Sequence, residues 1–331
     1  MITRFPVLPV SSLPGTIGNR VLRGWLLGLF ALVFTFGFSF ASASQAIAAG
    51  GEHPEVHAAD AHHEKHHGLP EGAPLIFDSP YFKINSSMII TWVVALGLIL
   101  FARKATKNIK EVPEGAQNFW EWLVESLYEF LEGLIGHHLV RQTFWFFATI
   151  FIFILFVNWA GLIPGVGTIG WGTPDETGAL HHIARPILRG GNADLNMTLG
   201  MAMIFFVCWI YWALKANGPG GFILHIFGPK GDTTGALKFL MIFVFIGVGL
   251  LEVVTILFRP VTLSFRLFGN VFAGENMLET MAALGGQWAG WLLPIPFYFM
   301  ELLVGVVQAL VFTLLTAVFT LLICEHEEGH H

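Results

Sequence analysis

Charge is what this chain has least of. Asp, Glu, Lys and Arg make up 12% of its 331 residues, about half the share of an ordinary soluble domain. So little charge cannot cover a globular surface in water, which excludes a soluble fold. Cysteine is nearly missing: Cys208 lies in an apolar run and Cys324 near the end, which makes neither a disulfide framework nor a zinc set. No glycine-rich phosphate loop closing on Lys-Ser or Lys-Thr occurs, so the chain has no nucleotide site of its own. No basic face stands out either. The formal net charge is -6, with the acidic excess scattered over tails, loops and one amphipathic stretch, and nucleic acid is excluded as a partner.

What the chain has in abundance is apolar length. Hydrophobic residues reach 54%, with 32 Phe and 11 Trp, set in long runs that a lipid bilayer solvates. It reads as an all-α integral membrane protein, with about five transmembrane helices, one interfacial amphipathic helix, and the last two helices long, tilted and antiparallel. Residues 1–48 have the pattern of a signal peptide: Arg4, Arg20 and Arg23, an apolar core over 25–40, Ala46 and Ala48 at cleavage spacing, and no acid before Glu52. That core is short for a span, although a retained first helix and an organelle transit peptide are the alternatives. Residues 49–83 hold four prolines and His53, His57, His62, His63, His66 and His67. They cannot bury a core and read as a flexible external arm, and without regular ligand spacing they are a solvated tail instead of a metal site.

Residues 84–331 form the membrane domain. A span over 84–102 ends on Arg103, Lys104, Lys107 and Lys110, which the positive-inside rule places in the cytoplasm. Over 119–135, Glu121, Glu125, Glu129 and Glu132 recur at helical spacing opposite an apolar side, the pattern of a helix lying at the interface. Spans follow over 144–163 and 195–214, with an external loop over 165–194 that contains Arg185, Arg189 and Asp194. Residues 237–284 are then largely apolar, and a turn at Arg259-Pro260 would put two arginines outside, against the same rule. One helix of about 72 Å, more than twice the hydrocarbon thickness, must lie strongly tilted. Residues 288–324 make a second overlong helix, joined to the first near Gly285-Gly286.

These two helices carry Glu252, Arg259, Arg266, Asn270, Glu275, Glu279, Glu301 and Gln308. A charge at the bilayer centre costs at least ~2.5–3.5 kcal/mol, so the set needs a protein interior or a wet cavity, as an ion path provides. Spacings of seven and four put Glu252, Arg259, Arg266 and Asn270 near one helix face, while Glu275, nine residues past Arg266, points away. Glu301 and Gln308 share a face of the last helix. With this orientation Arg266 separates Glu252, towards the cytoplasm, from Glu275, towards the outside. A guanidinium stays charged, cannot relay protons, repels cations and attracts a carboxylate on a moving partner. Glu252 with Arg259 has a second reading, as a structural ion pair.

The run from Arg259 and Pro260 through Leu263, Arg266-Leu267-Phe268-Gly269-Asn270, Ala273, Gly274 and Glu275 resembles the signature of subunit a of the rotary F-type ATP synthase. Gln308-Ala309, the segment from Ala193 to Leu199, and residues 158–164 are similar too, and the likeness covers about residues 78–328. It implies a non-catalytic, proton-translocating stator subunit of an energy-coupling membrane, the bacterial inner membrane, with its N-terminal arm outside and its C-terminus cytoplasmic. Implied partners are a rotor ring of c subunits, the peripheral-stalk b subunits and the bilayer; no cofactor or metal is implied. Arg266 would be the stator arginine facing the ring, Asn270, Glu275, Glu301 and Gln308 would line the outer half-channel, and Glu252 a cytoplasmic-side position. Many relatives pair a histidine with a glutamate at the positions of Glu275 and Glu301, whereas both are glutamates here. A relay through two close carboxylates would need one protonated at rest. Two other classes compete with this reading. A haem-bearing anchor of a redox complex needs histidines inside spans, and the 14 histidines fall in tails, loops or interfacial positions. A secondary transporter favours an internal repeat, and none is visible.

Overall fold

The computed structural model describes residues 75–79, 82–110, 112–163, 166, 170–171, 185–186, 188–227 and 236–324. The signal-peptide pattern, the histidine cluster of the arm and the tail after residue 324 lie outside the described residues. Five helices dominate: α1 (Ser86–Ala105), α2 (Ala116–Gly161), α3 (Leu195–Phe227), α4 (Ala236–Ala289) and α5 (Ile295–Cys324). All five contain a stretch long and apolar enough to cross a membrane, so the chain is a multi-pass membrane protein. Before α1, strands β1 (Leu75–Ser79) and β2 (Phe82–Asn85) pair antiparallel, giving the end of the expected arm a regular structure. Two shorter strands, β3 (Gly170–Trp171) and β4 (Arg185–Pro186), pair across the loop between α2 and α3.

The amphipathic stretch and the span that follows it are one element, α2, broken at Gly136, where φ is 78°. A glycine adopts that left-handed backbone without a Cβ penalty, so the acidic first part turns relative to the apolar second part. Helix α3 likewise continues past the expected end of its span and bends at Gly218, with φ 68°, just before Pro219. Helix α4 runs unbroken through Pro260 and changes course only at Gly286, where φ is 55°. The long-helix expectation therefore holds, because neighbouring groups tolerate one missing backbone donor inside a membrane helix.

The core lies between α1, α2, α3 and α5. Phe146, Phe147, Phe205 and Trp212 pack there as a continuous aromatic cluster, and Trp209 is buried against Phe206 and Phe222. Trp209 and Asn217 of α3 donate to the Phe319 and Ile323 carbonyls of α5, at 3.0 and 2.7 Å. In hydrocarbon each polar group needs an internal partner, and the hydroxyls of Thr143, Thr149, Thr316 and Thr320 find one in the carbonyl a turn earlier. Helix α4 follows the same pattern at Thr255, Thr262 and Thr280 but is less enclosed. It contacts α3 and α5 on one side and leaves Leu251, Leu257, Phe258 and Phe265 more than half exposed on the other.

Candidate functional site

Near the C-terminal end of α2, the N-terminal ends of α1 and α3, and the facing parts of α4 and α5, polar side chains gather. Asp194 starts α3: its carboxylate accepts the Asn196 backbone N–H at 3.0 Å, satisfying a first-turn donor of that helix. The same carboxylate accepts the Ser87 hydroxyl at 2.8 Å and the Asn85 amide at 3.4 Å, tying the start of α1 to α3. Asn192 donates to Asn158 at 2.6 Å, and Asn158 to the Gly305 carbonyl of α5 at 3.3 Å. Beside this network lies a cleft lined by Asn158, Gly161, Leu162, Val271, Glu275, Glu301, Val304, Gly305 and Gln308, with space for about one water molecule.

Three of the six candidate residues, Glu275, Glu301 and Gln308, thus meet in one place. Glu301 is 7% exposed and Gln308 8%. A Cβ placed on Gly274 would run into the Glu301 carboxyl group, so the glycine makes room for the acid of the facing helix. The obstructing atoms are the far end of a flexible side chain and can swing aside. Gly274→Ala is therefore expected to displace Glu301 and lower ion flux while leaving the thermal stability of the assembled complex unchanged; a melting curve beside a flux assay separates the two.

Arg266 and Asn270 do not line the cleft. Both are exposed on α4; Arg266 is half a revolution from Glu275 and Asn270 about 140° from it, so Asn270 stands outside the cleft that the resemblance expects it to line. Arg259 departs from the expected common face with Arg266. Its guanidinium lies over the rings of Phe319 and Trp209, at 4.4 and 5.4 Å from their centroids, so it packs inward as a cation on aromatic faces. Glu252, seven residues before Arg259 on α4, is half-buried. Along α4, Glu252 is about 21 Å before Arg266 and Glu275 about 14 Å beyond it.

Arg189 is the residue that the sequence placed elsewhere. In the expected external loop it is only 3% exposed, and its Nε lies 3.6 Å from the Glu275 carboxylate. Its guanidinium also stands 5.9 Å from the Phe272 ring. The backbone of Gly190 lies close against the same carboxylate, and the missing side chains of Gly161 and Gly190 let the two backbones touch. The available signal was Arg189-Gly190-Gly191, a charge followed by two residues that permit close backbone approach.

The sequence pattern of the family described as ATP synthase A chain matches residues 86–320, which takes in Arg189 and all six candidate residues. The chain belongs to that family. Among known proteins it is similar to the ATP synthase subunit a of Gloeobacter violaceus, 33% identical over 75% of this chain and 87% of the relative. It resembles the protein of the same name from Desulforamulus reducens at 33% identity, over 74% and 81% of the two chains. The Pseudomonas fluorescens protein of that name is 34% identical over 72% and 83%. Membership in the ATP synthase A chain family associates the chain with proton transport and ATP synthesis in a membrane. Within the matched span, the exposed arginine and the Glu252 end fall on α4, and the cleft lies between residues of α2, α4 and α5.

Proposed function

We propose that this chain is the proton-translocating stator subunit of an ATP synthase, forming two offset half-channels against a rotating ring of c subunits. The observation that carries this reading is the division of polar groups along α4. A buried cleft with Glu275, Glu301 and Gln308 lies towards one end, Glu252 towards the other, and between them Arg266 projects from an exposed apolar face. Protons enter the outer cleft, pass to a rotor carboxylate, travel round with the ring and leave near Glu252. Arg266 makes each arriving rotor carboxylate give up its proton and blocks a direct leak, since a guanidinium keeps its charge and relays none.

A charge crossing the membrane releases ~2.3 kcal/mol per 100 mV, so several crossings drive each ATP made elsewhere in the complex. The chain itself is non-catalytic and binds no nucleotide. Its other partners are the b subunits of the peripheral stalk, and it sits in a bacterial inner membrane with the N-terminal arm outside and the C-terminus cytoplasmic. The Lys and Arg cluster after α1 supports that orientation.

Accessibility tests the two half-channels directly. With Cys208 and Cys324 replaced, Glu301→Cys is expected to react with a membrane-impermeant maleimide from the outer side only, and Glu252→Cys from the inner side only. Labelling of both from one side would remove the offset arrangement.

A further inference from the structure

We propose that Arg259, seated against Trp209 and Phe319, is a second proton barrier. It keeps protons of the outer cleft from running down between α3, α4 and α5 to the cytoplasm, on the side of α4 that Arg266 does not face. This rests on the proton-channel reading above and adds a residue to it.

Between Glu252 and Glu275, α4 carries two charged residues, Arg259 and Arg266. They divide the helix between them. Arg266 is exposed beside Phe265, whereas Ile256, Pro260, Leu263 and Leu267 are buried and form the face turned to the other helices. The Arg259 guanidinium reaches over this face to the meeting point of three helices, 5.4 Å from the Trp209 ring of α3 and 4.4 Å from the Phe319 ring of α5. That seat is held independently of the arginine, because the Trp209 indole N–H donates to the Phe319 carbonyl at 3.0 Å and Trp209 is only 2% exposed. The Nε of Arg259 is buried with no hydrogen-bond partner among the described residues. An apolar side chain would fill the same space without leaving a polar atom unpaired, so packing alone does not call for a guanidinium here.

A barrier is needed on this side because polar groups continue past the cleft in that direction. Glu301, Gln308, Phe312 and Phe319 follow one another along one stripe of α5, polar in its outer half and aromatic in its inner half. Beyond Gln308, about 7.5 Å further along the helix, the buried Thr313 hydroxyl has no partner among the described residues. A buried hydroxyl left unpaired draws in water. Water at that depth carries protons towards the level of Phe319, and there a fixed positive charge repels them, as an arginine does in a water-filled pore. The negative faces of the two rings hold the guanidinium in place. It gives up no proton of its own, so it ends the route instead of extending it.

The test uses the complete ATP synthase in inverted vesicles with an acid-loaded lumen and the rotor stalled by a non-hydrolysable ATP analogue. A trapped pH dye reads the decay of the gradient, and immunoblotting reads the amount of this chain incorporated. Arg259→Gln is expected to incorporate normally and to speed the decay about tenfold, the scale on which fixed charge alters ion concentration in a cleft. Arg259→Lys keeps the charge and is expected to stay within about twofold of the unaltered complex. Normal incorporation of Arg259→Gln with unaltered decay overturns the proposal and leaves Arg259 a packing group. Equal acceleration in Arg259→Lys overturns it as well, because shape and not charge would then close the route. Where Arg259→Gln fails to assemble, Phe319→Leu decides, since it withdraws one ring and keeps the backbone carbonyl that Trp209 uses. Decay about threefold faster, the worth of one ring face to a cation, supports the barrier, and unchanged decay overturns it. Full ATP-driven uptake in Glu301→Gln sinks the underlying channel reading instead, whatever Arg259 does.

Discussion

Arg266→Ala is expected to abolish ATP-driven proton pumping without unfolding the chain. The side chain is exposed on α4, next to Phe265, itself 55% exposed, and it forms no salt bridge among the described residues. Removing it therefore breaks no ion pair described within the subunit, and surface substitutions of this kind alter stability by about 0.5 kcal/mol at most. On the proposed stator role, the loss falls on the rotor partner. Without a fixed cation, a rotor carboxylate passes this point still protonated, so rotation is no longer tied to proton release, and ions cross between the two half-channels. The expected signature is continued ATP hydrolysis with no acidification of inverted vesicles, together with faster decay of an imposed proton gradient. Arg266→Lys restores the point charge but not the planar fork, and its activity relative to Ala measures how much of the role is charge alone. Retained coupled pumping in Arg266→Ala would remove the stator assignment.

The order of the helices is legible because hydrophobic runs in lipid have few alternatives, every backbone group being paired inside the segment, whereas the continuation of α3 through Gly218 and Pro219 to Phe227 carries no such signal. Even the improbable length of α4 followed, since two arginines on the outer side were harder to accept than a helix through Pro260. Side-chain direction was less legible. Heptad spacing grouped Arg259 with Arg266 on one face, but a long guanidinium reaches sideways, and the rings of Trp209 and Phe319 from two other helices give it an inward seat. No spacing within α4 encodes rings on α3 and α5. Arg189 was less visible still. Glycine, proline and charges between two spans read as a loop in water, whereas the end of that loop folds in against α2 and α4, and only the three-dimensional meeting of Gly161, Gly190 and Glu275 shows it. The hairpin of residues 75–85 was hidden for a similar reason, because each strand is only four or five residues long and carries no sustained alternation.

Glu301→Gln is expected to lower proton flux by about a hundredfold, the scale on which a positioned proton-transfer group acts. Glutamine keeps the volume of glutamate, so the packing against Gly274 and the cleft shared with Asn158 and Gln308 survive the change. What is lost, on the proposed channel role, is a group able to alternate between an anion and a neutral acid, since an amide cannot take up and give back the proton. Incorporation of the chain into the complex should thus stay normal while vesicle acidification falls. Glu301→Asp retains the carboxyl group but withdraws it by one methylene from its place beside Gly274, and an intermediate flux is expected because transfer depends on hydrogen-bond reach. Gln308→Ala, two turns along the same face of α5, leaves the titrating group intact and is expected to cost less than either. Equal flux in Glu301→Gln and the unaltered protein, at equal incorporation, would take Glu301 out of the path and leave the cleft as a merely structural polar pocket.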